Sequence, residues 1–95
     1  MDEKESDELL FHIMGKVEVE LRNAFKSYST FNNAHEGWAV LKEEVDELWD
    51  AVKLKQSNPD RNYQIRKEAI QVCAMAMRLL HDCCKFHKRK DGEYI

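Results

Sequence analysis

The sequence has few of the residues that make tight turns, with 3 glycines and 1 proline among 95 residues. Folds built from many short strands need more of both, so a β-sandwich or β-barrel is disfavoured. Long apolar runs are also absent. The longest one, residues 72–77, is far too short to cross a bilayer. The 3 cysteines are an odd number without the spacing of a disulfide framework, which favours the reducing cytoplasm.

An excess of positive charge is absent too. The formal net charge is −3, which implies no general affinity for nucleic acid. The first ten residues, MDEKESDELL, are acidic where a secretory signal is basic and then apolar. We therefore predict a cytoplasmic protein with a single domain over residues 1–95 and with neither nucleic acid nor a membrane among its partners.

Apolar residues recur at intervals of three and four in three segments, which is the spacing of amphipathic helices. This predicts an all-α protein in which three main helices form a bundle. The first helix carries the apolar stripe Leu10, Met14, Val17, Leu21 and Phe25, and the second carries Trp38, Leu41, Val45, Leu48 and Val52. The predicted helices span residues 6–27, 34–56 and 59–86, followed by a frayed tail at 87–95.

Capping residues support two of the helix starts. Asn33, followed three residues later by Glu36, resembles a capping box. Asn58 is placed to cap the third helix, with Pro59 at its first position, where no amide donor is needed. The short turn before the third helix predicts that helices two and three are antiparallel neighbours.

The centre of the third helix, residues 69–77, is apolar on every side except at Gln71. Such a helix has to be covered all round, and two other helices of the same chain do not suffice. We therefore predict that oligomerisation completes the bundle, in a homodimer or homotetramer with the third helix packed between subunits.

Two carboxylates of the acidic second helix lie at the edge of its apolar face. At about 100° per residue, Glu44 and Glu47 share a stripe with Val40 and Ala51. Two neighbouring carboxylates oppose each other's ionisation, so a nearby cation is needed to stabilise both charges. Carboxylates are hard oxygen ligands, which suit Mg²⁺ or Mn²⁺. The alternative interpretation is a solvated acidic face.

The third helix offers a matching pair, because Glu68 and Gln71 repeat the same three-residue spacing. They share a stripe with Met75, Arg78 and Asp82. In an antiparallel arrangement the two pairs face each other across the bundle. The alternative is an exposed Glu68 and a hydrogen-bonded core amide at Gln71.

Two segments together match a known pattern: residues 35–48, HEGWAVLKEEVDEL, and residues 66–72, RKEAIQV. They resemble the MazG-like, all-α nucleoside triphosphate pyrophosphohydrolases, whose hallmark is E-x-x-E on one helix and E-x-x-D on the next. The resemblance covers about residues 33–82. It implies a MazG-like fold and the Mg²⁺-dependent hydrolysis of a (d)NTP to the (d)NMP and pyrophosphate, with a housecleaning role in the nucleotide pool.

By position, the resemblance implies a metal site formed by Glu44, Glu47, Glu68 and Gln71. Glu44 and Glu47 become the catalytic residues, with Glu47 the better placed to orient the attacking water. Gln71 departs from the family pattern, because the family has Asp there, and so the site holds three carboxylates instead of four. Glu18, within the apolar stripe of the first helix, is a candidate for the missing charge; an ordinary surface position is the alternative.

Four further residues are candidates for substrate contacts. Trp38 and His35, at the start of the second helix, offer aromatic rings that can stack on a base, with plain packing as the alternative. Arg78 and Lys67 are candidates for binding phosphate, with solvated cations as the alternative.

Two other interpretations stay open. A degenerate relative of the same fold would bind nucleotide or a partner helix without turnover, and Gln71 is the residue that favours it. A zinc site near the end of the third helix competes with the packing of small apolar cysteines in a helix seam. Its candidate ligands are His81, Cys83, Cys84 and His87.

Overall fold

A computed structural model describes all 95 residues and contains three α-helices and no β-strand. The helices are α1 (Glu3–Ser27), α2 (Ala34–Val52) and α3 (Arg61–Cys83). The prediction of an all-α protein with three helices is therefore confirmed. None of the helices combines the length and the apolar character that crossing a membrane requires.

α2 and α3 form an antiparallel pair, as the short connection between them predicts. Gly37, near the start of α2, lies beside Leu79, near the end of α3. At the connected end, the Arg61 guanidinium donates two hydrogen bonds, of 3.1 and 3.3 Å, to the carbonyl oxygen of Val52. These bonds satisfy a terminal carbonyl of α2, which explains why α2 ends at Val52 and not at the predicted residue 56.

α1 lies on another side of α3 and runs parallel to it. Glu20 contacts Gln71, and farther along both helices the ring centroids of Phe25 and His81 are 4.6 Å apart. The backbones of α1 and α2 do not come into contact. α3 is therefore the helix that joins the other two, and an open cleft is left between α1 and α2.

The hydrophobic core is small and contains mostly small side chains. Its buried members are Val17, Ala24, Ala74 and Met75, with Leu21, Val40, Leu41 and Ile70 packed against them. The large residues of the predicted stripes are only partly covered, since Met14 is 57% exposed and Trp38 is 55% exposed. On α2 the buried positions are Gly37 and Ala51, because small residues allow α2 to approach α3 closely.

We expect Gly37→Val to lower the free energy of unfolding by about 1–3 kcal/mol. A Cβ atom at Gly37 would lie 2.5 Å from Leu79 Cδ1 and 3.1 Å from Phe31 Cδ2, whereas Gly15 of α1 has open space around it. As a control, Gly15→Ala is expected to stabilise the helix by about 0.5–1 kcal/mol. Urea denaturation measures both effects, and an unchanged stability in Gly37→Val would contradict the close packing of α2 on α3.

The capping prediction is confirmed for α2, and α1 begins earlier than predicted. Asn33 Oδ1 accepts a hydrogen bond of 2.9 Å from the backbone N–H of Glu36. α1 begins at residue 3 and not at residue 6, because Asp2 Oδ1 accepts from the N–H of Glu5 at 2.8 Å and acts as its N-cap. An acidic first turn then follows, which suits the positive end of the helix dipole.

The prediction that Asn58 caps α3 is wrong. Asn58 Oδ1 accepts a hydrogen bond of 2.9 Å from the N–H of Asp60, so its side chain closes a turn that also contains Pro59. α3 starts after this turn, at Arg61. Asparagine side chains commonly accept a hydrogen bond from the backbone N–H two residues further on, which favours a turn at this position.

The tail after α3 folds back instead of fraying, and α3 ends earlier than predicted. His87 and Ile95 exchange two backbone hydrogen bonds, of 2.8 and 2.9 Å, and Lys88 and Tyr94 form an isolated β-bridge. Gly92, in the turn, has a φ of +92°, a conformation that glycine adopts readily. The pairing joins residues several positions apart, and helical periodicity carries no information about it.

Candidate metal centre

Three carboxylates from two helices converge in the structure. α2 presents Glu44 and Glu47, α3 presents Glu68, and an oxygen atom of each lies within 4.8 Å of those of the other two. The three-residue spacing places the α2 pair on one face, and the antiparallel packing brings Glu68 opposite to it. Glu47 is exposed and Glu44 is half-buried, while Glu68 is only 9% exposed.

The charge of this group is poorly compensated by the protein itself. Lys67 Nζ lies 3.9 Å from Glu68 Oε1, and its own side chain is 53% exposed. Burial, followed by the charges of Glu47 and Glu68, raises the pKa of Glu44. Burial also raises the pKa of Glu68, helped by its contact with Glu47 and opposed by Lys67. A divalent cation among the three carboxylates would relieve both effects, because hard oxygen ligands hold it and its charge favours their ionised form.

We expect Glu44→Gln to raise the midpoint of thermal unfolding at neutral pH when divalent cations are absent. A carboxyl group whose pKa is raised in the folded state destabilises that state most at pH values above the raised pKa. The gain should therefore disappear as the pH falls below the ordinary value of 4.5, where Glu44 is protonated in both states. Asp50→Asn, on the exposed side of α2, is the matched control, and a gain of the same size there would contradict the explanation.

Gln71, which the sequence places at the fourth position of the site, binds a residue of α1. Its Nε2 donates a hydrogen bond of 2.8 Å to Glu20 Oε2. Because an ionised carboxylate only accepts, the amide nitrogen faces Glu20 and the amide oxygen faces away from it. Glu18, the sequence-based candidate for an added charge, instead forms an exposed ion pair with Arg22 at 2.7 Å and does not reach the site.

Glu20 is the residue that sequence reasoning missed. The apolar stripe assigned to α1 was based on its large residues, but the buried positions are Val17 and Ala24. Glu20 lies three residues after Val17 and four residues before Ala24, which places it on the buried face of α1. Reading Ala24 as a packing residue would have identified Glu20 from the spacing alone.

The cleft between α1 and α2 is lined by one of the three carboxylates, Glu44, and has a volume of about 710 Å³. α3 forms its floor, and its walls come from α1, from the α1–α2 connection and from α2. The polar residues that line it include Glu20, Asn23, Ser27, Glu36, Glu43, Glu44, Gln71 and Arg78. The cleft thus offers a polar volume of the size that ligand sites commonly have.

Arg78 lines this cleft, yet its guanidinium is engaged by the protein. It donates a hydrogen bond of 2.7 Å to the carbonyl oxygen of Ser29 and lies 3.8 Å from the ring centroid of Phe31. Its Nε is 3.6 Å from Asp82 Oδ2, which in turn accepts from the N–H of Phe31 at 3.1 Å. These contacts tie the α1–α2 connection to α3, and binding of phosphate by Arg78 stays a prediction.

The other three candidates for substrate contacts lie away from the cleft. Trp38 and His35 are exposed near the start of α2 and do not line it. Lys67 lines a separate groove between α1 and α3. The structure therefore brings together the acidic residues of the predicted site but not its aromatic ones.

The histidines and cysteines near the end of α3 do not form a metal site. Glu44, Glu47 and Glu68 are the one group of three or more acidic, histidine or cysteine side chains that is close enough to share an ion. Burial, followed by the charge of Asp82, raises the pKa of the Cys83 thiol, which disfavours a nucleophilic thiolate. All three cysteines are free.

Comparison with known proteins yields no relative of this chain. No family model matches it, and no curated protein and no solved structure is significantly similar to it.

Proposed function

We propose that this protein is a Mg²⁺-dependent nucleoside triphosphate pyrophosphohydrolase that converts a (d)NTP and water to the (d)NMP and pyrophosphate. The observation that carries the proposal is the convergence of Glu44, Glu47 and Glu68 within 4.8 Å, with Glu44 also lining the cleft between α1 and α2. The MazG-like resemblance of the two segments that supply these residues supports the same reaction, and a housecleaning role in the nucleotide pool follows from that resemblance.

The donor set fits a hard divalent cation. Three carboxylates provide oxygen ligands and leave positions free for water and phosphate, as Mg²⁺ prefers, with Mn²⁺ as the alternative ion. When bound, the ion would neutralise phosphate oxygens and lower the pKa of a coordinated water. Glu68 carries the strongest indication, since it is the most buried of the three residues and the cation of the protein beside it, Lys67, lies 3.9 Å away with its own side chain 53% exposed.

The residues divide the work by their position. Glu44 and Glu68, the more buried pair, would hold the ion. Glu47 is exposed beside them, so its carboxylate is accessible to a water molecule that attacks the α-phosphorus. In reactions of this class the protein contributes mainly positioning and charge stabilisation.

The test is an assay of pyrophosphate release from the common ribo- and deoxyribonucleoside triphosphates, with and without Mg²⁺. We expect release of pyrophosphate, together with the monophosphate, that stops when the cation is chelated. Release of inorganic phosphate and a diphosphate would contradict attack at the α-phosphorus. A chain that turns over none of these nucleotides with either Mg²⁺ or Mn²⁺ would contradict the proposal.

The proposal includes a homodimer or homotetramer in the cytoplasm. Several large apolar side chains of α1 are uncovered in the single chain, and a second copy would bury them. Leu10 is 55%, Phe11 is 77% and Met14 is 57% exposed. Analytical ultracentrifugation at micromolar concentration tests this point, and a monomer there would contradict it.

The second candidate is a non-catalytic protein of the same fold that binds a nucleotide or a partner helix. Gln71 favours it, because an amide brings no negative charge to the site. Calorimetric titration with a nucleotide and Mg²⁺ separates the two, since tight binding without pyrophosphate release would favour this candidate.

A further inference from the structure

The groove between α1 and α3 combines apolar side chains with cations. Leu9 and Ile13 of α1 line it together with Ile70 of α3, and the two α1 residues are 44% and 43% exposed. The cations that line the same groove are Lys16, Arg66 and Lys67. Apolar side chains that are left open between two helices form the kind of surface that a further amphipathic helix covers.

The cations of the groove have little counter-charge from their own chain. Lys16 and Arg66 form no ion pair, and Lys67 Nζ lies 3.9 Å from Glu68 Oε1 with its own side chain 53% exposed. Glu20 is the one carboxylate that lines the groove, against three cations. The groove is therefore suited to an amphipathic helix that carries negative charge.

The start of α1 has these two properties. Residues 2–8 contain five carboxylates and one cation, and none of these carboxylates forms an ion pair within the chain. Residues 9–14, LLFHIM, follow directly and contain a single polar side chain. α1 of a second copy of the chain therefore matches the groove in its charge and in its apolar surface.

The order of residues along α1 determines the direction in which a second copy fits. Glu5, Leu9, His12 and Lys16 follow one another at steps of four, three and four, which places them on one face of the helix. A parallel copy would place Glu5 against Glu5 and Lys16 against Lys16. An antiparallel copy places Glu5 of each helix against Lys16 of the other, so the face is self-complementary about a two-fold axis.

We propose that two copies of the chain associate through this face, with their α1 helices antiparallel and with the acidic start of each α1 in the groove between α1 and α3 of the other copy. The contact covers Leu9 and Ile13 and brings carboxylates of one copy to Arg66 and Lys67 of the other. The inference rests on the oligomer that the proposed function includes, and it identifies the surface that forms it.

Charge reversal tests the arrangement, with sedimentation equilibrium at micromolar concentration as the measurement. The double variant Glu5→Lys, Glu8→Lys reverses the acidic start, and the double variant Lys16→Glu, Arg66→Glu reverses the groove. Each of them places like charges together, so we expect each to weaken self-association by at least about tenfold. An equimolar mixture of the two, and a chain that carries all four substitutions, should associate as the wild type does, because opposite charges face each other again.

The double variant Lys42→Glu, Lys53→Glu is the matched control. It makes the same change of net charge at exposed cations of α2 and should leave self-association unchanged. The inference is overturned if the variants in α1 and the groove associate as tightly as the wild type, or if neither the mixture nor the fourfold variant associates. A monomeric wild type overturns the predicted oligomer as well, whereas pyrophosphate release from a chain whose association ignores these charges overturns the docking alone.

Discussion

Glu44→Gln and Glu47→Gln are each expected to lower the rate of pyrophosphate release by at least about a hundredfold, in the range typical for a lost group that stabilises charge at an active site. Glutamine keeps the shape of the side chain and removes its charge. The loss therefore measures the charge of the carboxylate and not its packing.

The two variants should differ in their response to Mg²⁺. Glu44 is half-buried within the group, so its loss should raise the Mg²⁺ concentration needed for activity, and excess Mg²⁺ should recover part of the rate. Glu47 is exposed and faces water, so its loss should lower kcat at saturating Mg²⁺ as well. Activity measured across a Mg²⁺ titration distinguishes these outcomes.

Asp46→Asn is the matched control for both variants. Asp46 lies on the same helix, is 63% exposed, pairs with Lys42 at 3.0 Å and is not part of the group formed by Glu44, Glu47 and Glu68. We expect full activity from this variant. Metal-dependent pyrophosphate release that survives both Glu44→Gln and Glu47→Gln would mean that the activity arises elsewhere.

Asp82→Asn is expected to lower the free energy of unfolding by about 3–5 kcal/mol, the range found when one partner of a buried ion pair is removed. The Asp82 side chain is 3% exposed and that of Arg78 is 7% exposed. Asparagine would leave the Arg78 charge buried without its counter-charge and would weaken the hydrogen bond that Asp82 accepts from Phe31. Urea denaturation measures the loss, with Asp46→Asn as the exposed control.

The pH dependence of stability gives a second measurement of the same contact. Burial opposes ionisation of Asp82, but the hydrogen bonds from His81 and Phe31 and the charges of His81 and Arg78 outweigh it, so the pKa of Asp82 is lowered. A carboxyl group with a lowered pKa stabilises the fold above its ordinary range, and this contribution is lost as the pH falls through the lowered value. The stability difference between wild type and Asp82→Asn should shrink in acid; a constant difference would contradict the explanation.

The number of helices and the position of the acidic centre were accessible from the sequence because both rest on local periodicity. Glu44 and Glu47 lie on one face through their spacing alone, and a short turn brings α3 back alongside them. The face of α2 that packs on α3 was harder to predict from the sequence. A hydrophobic pattern points to the large Trp38, whereas the close approach of α2 to α3 depends on the small residues Gly37 and Ala51.

Contacts between distant segments were not accessible from local patterns. The hydrogen bond from Gln71 to Glu20 spans 51 positions, and the Arg78 contact with Ser29 spans 49. Helical periodicity places each of these residues on a face of its own helix, but it does not say which helix lies opposite. The same reason applies to the pairing of His87 with Ile95.

The separation of α1 from α2 has a consequence for how the chain assembles and opens. α2 and α3 are neighbours in sequence and pair antiparallel, so they form a hairpin that closes only a short loop, whereas α1 must dock on α3 across a much longer one. α1 and α2 each rest on α3 alone, but α1 has the less extensive contact with it, so α1 is the helix that detaches with the fewest contacts broken. Glu20 moves with α1, so each detachment would break the hydrogen bond that Gln71 donates to Glu20 and would remove one wall of the cleft.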